Sequence, residues 1–221
     1  PISLVIAISS AEDKFEKVDE ASDAGDVVAM RLFFLGLVLS LMAWADISAA
    51  PITPLNSVTS FQEAMASTAS VQGPPRGSVA EQEAISRFEK FLGHLDEKTA
   101  RDETTKVYAP EAFLNDTLKT LHGSAAIRDY FIKTAEGLDS MTVTFDDIAV
   151  SGHNYYFRWT MDTRMKHLAR GKNIRTIGVT LVRFDPQGRV LIHQDFWDSA
   201  QGVWDHVPGV GAAIRWIQSK I

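Results

Sequence analysis

The chain has 221 residues, 45% of them hydrophobic and 23% charged, an ordinary globular composition with mass enough for one good core. Its formal net charge of -6 belongs to the amino-terminal part: three of the 22 basic and eight of the 28 acidic residues fall in positions 1–50, leaving 19 and 20 beyond. That balance leaves no electrostatic footprint for nucleic acid. The absence of cysteine excludes a disulfide framework, a thiolate metal site and a cysteine nucleophile.

From Met30 the chain reads MRLFFLGLVLSLMAWADISAAP, with Arg31, an apolar run from Leu32 to Ala45, and then small residues. This is the layout of a secretory signal peptide over 30–50, with cleavage after Ala45 or Ala49, and the run is short of the roughly 18–20 residues of a spanning helix. The acidic stretch over 1–29 contains no methionine, so translation is expected to start at Met30, with 1–29 outside the native chain. Export to the periplasm or medium follows. The alternatives are a membrane-anchored protein, held only through Leu32–Ala45 if that run is uncleaved, or a cytoplasmic one. Residues 51–77, rich in Ser, Thr, Ala, Gln, Pro and Gly, read as a flexible linker, in which a helix around Phe61–Met65 would have little to pack on. The folded domain is expected over 78–221.

Ser78 followed by Glu81 fits a capping box, and Ile85, Phe88, Phe91, Leu92 and Leu95 repeat at helical spacing, predicting a helix over about 79–97. TKVYAPEAFL predicts a short second helix, and Ser124 a cap for a third, with Ile127, Tyr130, Phe131 and Thr134 on its buried stripe. The period then changes. MTVTFDDIAV, NYYFRWTMDTRMK, IRTIGVTLVRF and VLIHQDFWD alternate as strands, with Asp185-Pro186-Gln187-Gly188 turning between the last two. Helices followed by antiparallel strands make an α+β pattern. The closing GVWDHVPGVGAAIRWIQSKI reads as helical on either side of Pro208-Gly209, with Val210, Ile214, Ile217 and Trp216 facing core, a partner or a membrane.

The stretch VLIHQDFWDSA (Val190–Ala200) sets polar groups in an apolar run. Period 2 puts Leu191, His193, Asp195 and Trp197 on one face and Val190, Ile192, Gln194 and Phe196 on the other. His193 and Asp195 either line a chemical pocket or satisfy one another. His153 beside them gives no third ligand at a telling spacing, so no metal is expected, and no cofactor motif is present. Arg164, Lys166, His167, Arg170 and Lys172 form a solvated basic hairpin.

The order of YAPEAFLND, HGSAAIRDYF (with Gly123, Ile127, Tyr130 and Phe131) and RFDPQGRVLIHQDFWD resembles the nuclear transport factor 2-like superfamily, which includes SnoaL-like proteins and ketosteroid isomerases. The tail further resembles a SnoaL-like bacterial subgroup. The resemblance covers about Val79 to Asp198. It implies a cone-shaped, curved antiparallel sheet packed against amino-terminal helices, the cystatin-like roll, with a pocket on the concave face and a homodimer. It also implies that Trp197, Asp195 and His193 face the pocket, with Phe157, Trp159 and Met161 inward and Arg158 outward. An aromatic pocket with a few polar groups suits a small hydrophobic ligand.

The same resemblance places Asp116 where the isomerases carry their general base, in the loop leaving the second helix. Their oxyanion hole, a tyrosine and a protonated aspartate, is replaced here by Phe88 or Phe91 and by Thr180. Steroid isomerase is therefore set aside, because that hole supplies the electrophilic half of the reaction. What remains is Asp116, His193 and Asp195 as an acid-base constellation of isomerase, cyclase or hydrolase type, with Phe88, Phe157, Trp159, Met161, Thr180 and Trp197 around a polyketide-, terpenoid- or steroid-like compound. The alternative is a ligand-binding or protein-interaction module of the same fold without turnover.

Overall fold

The computed structural model describes residues 57–221; the expected upstream segment and the signal or anchor over 30–50 lie outside the described residues. Three helices come first: α1 (Ser57–Ser67), α2 (Val79–Gly93) and α3 (Glu97–Val107). Strands β1 (Tyr108–Asn115) and β2 (Thr120–His122) lead into α4 (Ser124–Glu136). Four long strands follow, β3 (Leu138–Ser151), β4 (Asn154–Met165), β5 (Asn173–Phe184) and β6 (Val190–Trp197), and the chain closes with α5 (Ser199–Gly202) and α6 (Val210–Gln218). The six strands form one curved sheet in the order β2-β1-β6-β5-β4-β3. All neighbours are antiparallel except β1 and β6, which run parallel. The α+β class is as expected. Among the described residues no helix is long and apolar enough to cross a membrane.

The first helix begins where the capping pattern puts it. Ser78 Oγ accepts the Glu81 N–H at 3.1 Å, while the Glu81 carboxylate reaches one residue further back than an ordinary capping box, to the Gly77 N–H at 2.5 Å. The Tyr155 hydroxyl donates to the same carboxylate at 2.6 Å. Burial alone would push the Glu81 carboxyl up, but these donors and Arg76 hold it below the ordinary carboxylate range. A helix cap and the sheet thus share one buried anion.

The second helix is not TKVYAPEAFL. Asp96 caps it eleven residues before the expected apolar stretch is reached, accepting from Thr99 N–H at 2.6 Å, and α3 buries Ala100, Thr104 and Val107. Pro110 cannot continue a helix, and Tyr108–Asn115 is strand, with Pro110 and Glu111 exposed at a register shift between Tyr108 and Phe113, where a proline is tolerated. The third helix starts as predicted, but Gly123, not Ser124, occupies the cap, at φ +85. In β6 a second register shift, opposite Arg183/Phe184, breaks the strict alternation. Val190 therefore joins the inner core and Leu191 the outer one, the reverse of the period-2 expectation, while His193, Asp195 and Trp197 keep to the inner side.

Both faces of the sheet carry a core. On the inner face Phe88, Phe91 and Leu92 of α2 and Ile127 and Phe131 of α4 pack on Phe157, Val182 and Leu114. On the outer face Phe61, Ala64 and Met65 of α1 pack on Phe113, Leu181 and Ile192. Residues 57–67 are thus a docked helix rather than part of a flexible linker, and Arg183 explains the docking. This buried guanidinium donates to Met65 O at 3.0 Å, to Thr68 Oγ1 at 2.7 Å and to Asn154 Oδ1 at 2.8 Å. No carboxylate among the described residues pairs with it; the carbonyl end of α1 stabilises its charge. Among the described residues Ile177 and Phe196 of the outer face stay exposed, Phe196 meeting the edge of the Phe61 ring of α1. The terminal helix α6 packs on the Trp204–His206 turn through Gly211 and leaves Val210, Trp216 and Ile217 exposed, so its apolar stripe is not core.

Arg183→Met keeps the apolar stem and removes the donors to the end of α1. We expect a loss of about 2–3 kcal/mol in urea unfolding, with faster amide exchange confined at first to residues 57–68. An unchanged unfolding midpoint would show that α1 docks through its apolar face alone.

Candidate active site

A cavity of about 160 Å³ lies between the inner face of the sheet and the helices, lined among others by Leu92, Leu114, Phe131, Met141 and Met161 and by the residues of a polar ridge. Of the residues expected at the site, Asp116, Trp159, Met161, Thr180, His193, Asp195 and Trp197 all line it. Phe88 and Phe157 do not. They are fully buried with ring centroids 4.8 Å apart, and Phe88 packs edge-on to the His193 ring at 5.6 Å, filling the space behind the cavity wall. Arg158 points outward, paired with Asp146 and Asp147.

The polar ridge is a single hydrogen-bonded chain whose direction follows from donor inventory. An indole N–H only donates, so Trp159 Nε1 donates to Thr180 Oγ1 at 2.8 Å, and the Thr180 hydroxyl proton goes on to Asp195 Oδ1 at 2.5 Å. His193 Nε2 lies 3.0 Å from the same oxygen. A carboxylate only accepts, so Nε2 carries the proton, and in the neutral ring Nδ1 accepts from the Tyr108 hydroxyl at 2.7 Å. Both ring nitrogens are thereby engaged. Tyr108 is fully buried; burial, with the nearby charges of Asp195 and Asp116, pushes its phenol well above the ordinary range, so it stays a donor.

Asp116 comes from a different construction, the turn between β1 and β2. Its Oδ1 accepts the N–H groups of Leu118 at 3.0 Å and Lys119 at 2.8 Å, and Asn115 Oδ1 accepts that of Thr117 at 3.0 Å. Thr117 sits at φ +70, a conformation a β-branched residue adopts only when the surroundings impose it. Gln194 of β6 donates to Asn115 Oδ1 at 3.1 Å, and the Trp197 indole donates to the Asp116 carbonyl at 2.8 Å. These bonds tie the turn to the strand that carries Asp195. The Tyr130 hydroxyl of α4 donates to Asp116 Oδ2. Burial pushes the Asp116 carboxyl above the ordinary carboxylate range; Tyr130 and the backbone N–H groups pull it down in part, while the charge of Asp195 adds to the rise.

Gly178 makes room for the two indoles. It stands across from Trp159 on β4 and from Trp197 on β6, and a Cβ there would lie 2.6 Å from Trp159 Cη2 and 2.9 Å from Trp197 Cβ. With no side chain between them, the indole rings approach to 6.5 Å. Gly202 of α5 lies over Trp197, closing that side of the cavity. Two functional residues escape sequence reasoning. The sequence pattern puts Tyr108 on a helix, where it has no relation to His193, and marks Tyr130 only as part of a buried stripe. Asn115 next to Asp116, a pair prone to side-chain-to-backbone bonds in turns, is the signal that marks the turn.

Residues 88–193 match the model of the SnoaL-like domain family. Among solved structures this chain is similar to a nuclear transport factor 2-like protein from Burkholderia pseudomallei, at 15% identity and a TM-score of 0.49, over 60% of this chain and 100% of that one. It is also similar to an LEH-like epoxide hydrolase of M. tuberculosis, at 15% identity and a TM-score of 0.46, over 64% and 98%. A third is a protein with a ketosteroid isomerase-like fold from Catenulispora acidiphila, in complex with trimethylamine, at 14% identity and a TM-score of 0.46, over 57% and 92%. No curated protein matches the sequence.

The raised Asp116 pKa has a consequence for stability. Above the titration of an unfolded aspartate, near about 3.9, and below that of the buried group, the native domain binds a proton the unfolded chain has lost. This contribution is fully present below the unfolded pKa and is lost as pH rises through the folded one. Asp116→Asn is therefore expected to melt higher than the parent at pH 7, the gap closing toward pH 4, in thermal melts across that range. A variant less stable at every pH would mean that the ionised carboxylate holds the turn.

Proposed function

We propose that the domain binds a small apolar molecule in this cavity and carries out acid-base chemistry on it with Asp116 and Asp195. The observation that carries the proposal is a pair of carboxylates built into one apolar cavity in unlike settings. Environments that separate two carboxyl groups assign them an acid and a base. Asp116, whose carboxyl burial pushes above the ordinary range, takes the role of acid, and Asp195, whose Oδ1 accepts from Thr180 and His193, that of base. Asp195 takes a proton from a C–H or from a water molecule while Asp116 delivers one to the ligand's oxygen or carbon, which leaves the net charge unchanged, and exchange with solvent then removes the proton from Asp195 and restores that of Asp116. His193, engaged at both nitrogens, is a positioning residue that fixes the Asp195 oxygen. This supports isomerase, cyclase or hydrolase chemistry. A cavity of about 160 Å³ favours a compact, monocyclic terpenoid-like compound over a polyketide- or steroid-like one, since a dry cavity of about 150 Å³ accepts benzene and pockets for drug-sized ligands run to several hundred Å³.

A carrier without turnover is the second reading, favoured by one observation. Oδ1 of Asp195, Thr180 and both His193 nitrogens are all satisfied within the protein, so the ridge can stand without a reaction to serve.

The test is to release the bound compound from protein purified from its own host, identify it by native mass spectrometry, and incubate it with the full chain in D2O and in H2(18)O. Turnover should place deuterium on carbon or 18O in the product, and Asp195→Asn and Asp116→Asn should each slow it by about 100-fold or more while the compound still binds. Binding with no isotope incorporated would leave the carrier.

A further inference from the structure

The cavity holds a second set of polar atoms that the acid-base ridge does not use. Thr163 of β4 and Thr176 of β5 both line it, at 6% and 4% exposure, and neither hydroxyl has a hydrogen-bond partner among the described residues. Buried hydroxyls are nearly always satisfied, so two unsatisfied ones on the same wall call for an explanation. They are diagonal neighbours: Thr163 stands opposite Ile174 and Thr176 opposite Met161 in the β4–β5 ladder. Such positions are about 7–8 Å apart, close enough for both hydroxyls to reach one atom between them. Thr176 and Thr180 are four positions apart on β5, about 13 Å along the strand, so this pair marks the end of the cavity away from Asp195.

We propose that Thr163 and Thr176 form a seat for a hydrogen-bond-accepting oxygen, such as a ketone or aldehyde carbonyl, on a ligand that is otherwise hydrocarbon. A threonine presents a hydroxyl and a methyl of similar size, and rotation about χ1 exchanges them without changing the space filled. At Thr176 the methyl is the group turned toward Gly202, 3.0 Å from where a Cβ on that glycine would stand. One rotamer step therefore brings the hydroxyl to the cavity wall. Neither hydroxyl is paired by a described residue; a ligand oxygen completes both. The pair is thus a selector against hydrocarbons of the same shape, since an analogue without the oxygen leaves both donors unsatisfied.

This proposal rests on the cavity being a ligand site, and the experiment separates the two. Cyclohexanone and methylenecyclohexane share size and shape and differ by an oxygen against a CH2. Their dissociation constants for the full chain and for the Thr163→Val/Thr176→Val variant are measured by calorimetry. The ratio of ketone to hydrocarbon affinity should fall by roughly tenfold in the variant; taking the ratio cancels the difference in hydration between the probes. The variant's melting temperature should stay level or rise, because valine removes two unpaired hydroxyls and keeps their volume. Equal ratios in both proteins, with both probes bound, would overturn the seat and leave the cavity as a ligand site. Failure of cyclohexanone to bind the parent chain would overturn both, whereas a parent that binds the ketone alone supports the seat if the variant loses that preference. A variant that melts well below the parent would show that the hydroxyls have partners in the protein, which also overturns the seat.

Discussion

The Oδ1 atom of Asp195 accepts from Thr180 on the neighbouring strand and from His193 on its own, and each donor is held from behind, by the Trp159 indole and by the Tyr108 hydroxyl. The chain joins β1, β4, β5 and β6 and runs from the deepest part of the core to the cavity wall. Its direction is set at both ends by groups whose role has no alternative: an indole that only donates, and a phenol whose burial keeps it protonated. In a low-dielectric interior such a chain is rigid when complete and costly when interrupted. This is why the sheet can carry a carboxylate on its inner face at all.

The second carboxylate is held by the backbone instead. Two N–H groups of a tight turn cradle Asp116, and the turn is fastened to β6 through Asn115 with Gln194 and through the Trp197 indole. Trp197 thus reads the position of Asp116 while standing two residues from Asp195, so the two carboxylates are referenced to one strand. The positive φ of Thr117 is stabilised by the same fastening, the kind of local strain that persists where a side chain must be aimed. Gly178 belongs to this construction, because only a missing side chain lets Trp159 and Trp197 stand close enough to brace both carboxylates.

Much of this was legible in the sequence, and what was not has identifiable causes. The four long strands are legible because period 2 survives, as in Phe157, Trp159 and Met161, which alternate with exposed Arg158 and half-buried Thr160. The first helix was visible through Ser78 and Glu81. The strand Tyr108–Asn115 was not, because it is buried on both faces between β2 and β6, so its apolar residues show no alternation, and Asp96 lay unnoticed as the true cap of the helix before it. The face assignment held at His193, Asp195 and Trp197 but failed at Val190 and Leu191, where an inserted residue shifts the phase; a bulge leaves no mark in composition. Residues 57–67 read as linker because their partner surface, Leu181, Ile192 and Arg183, lies more than a hundred positions further on. The polar pair of His193 and Asp195 could be seen as a pair, but its other half, Tyr108, comes from a strand that the sequence hid.

The two ends of the cavity differ in how their polar atoms are satisfied, and that difference bears on what the domain can recognise. At the carboxylate end the hydroxyl, imidazole and indole groups already have partners, so a ligand arriving there meets groups that are oriented and need no rearrangement, the condition for acting on a transition state rather than on a ground state. At the threonine end the donors are free, and a ligand gains by supplying the missing acceptor. Preorganised groups cannot discriminate strongly between ligands that fit, because they lose little when a ligand offers nothing; unsatisfied buried donors can, because every ligand that fails to pair them leaves their desolvation uncompensated. On the proposed function, selection and chemistry fall at opposite ends of one small cavity, with the paired indoles of Trp159 and Trp197 as the apolar wall between them.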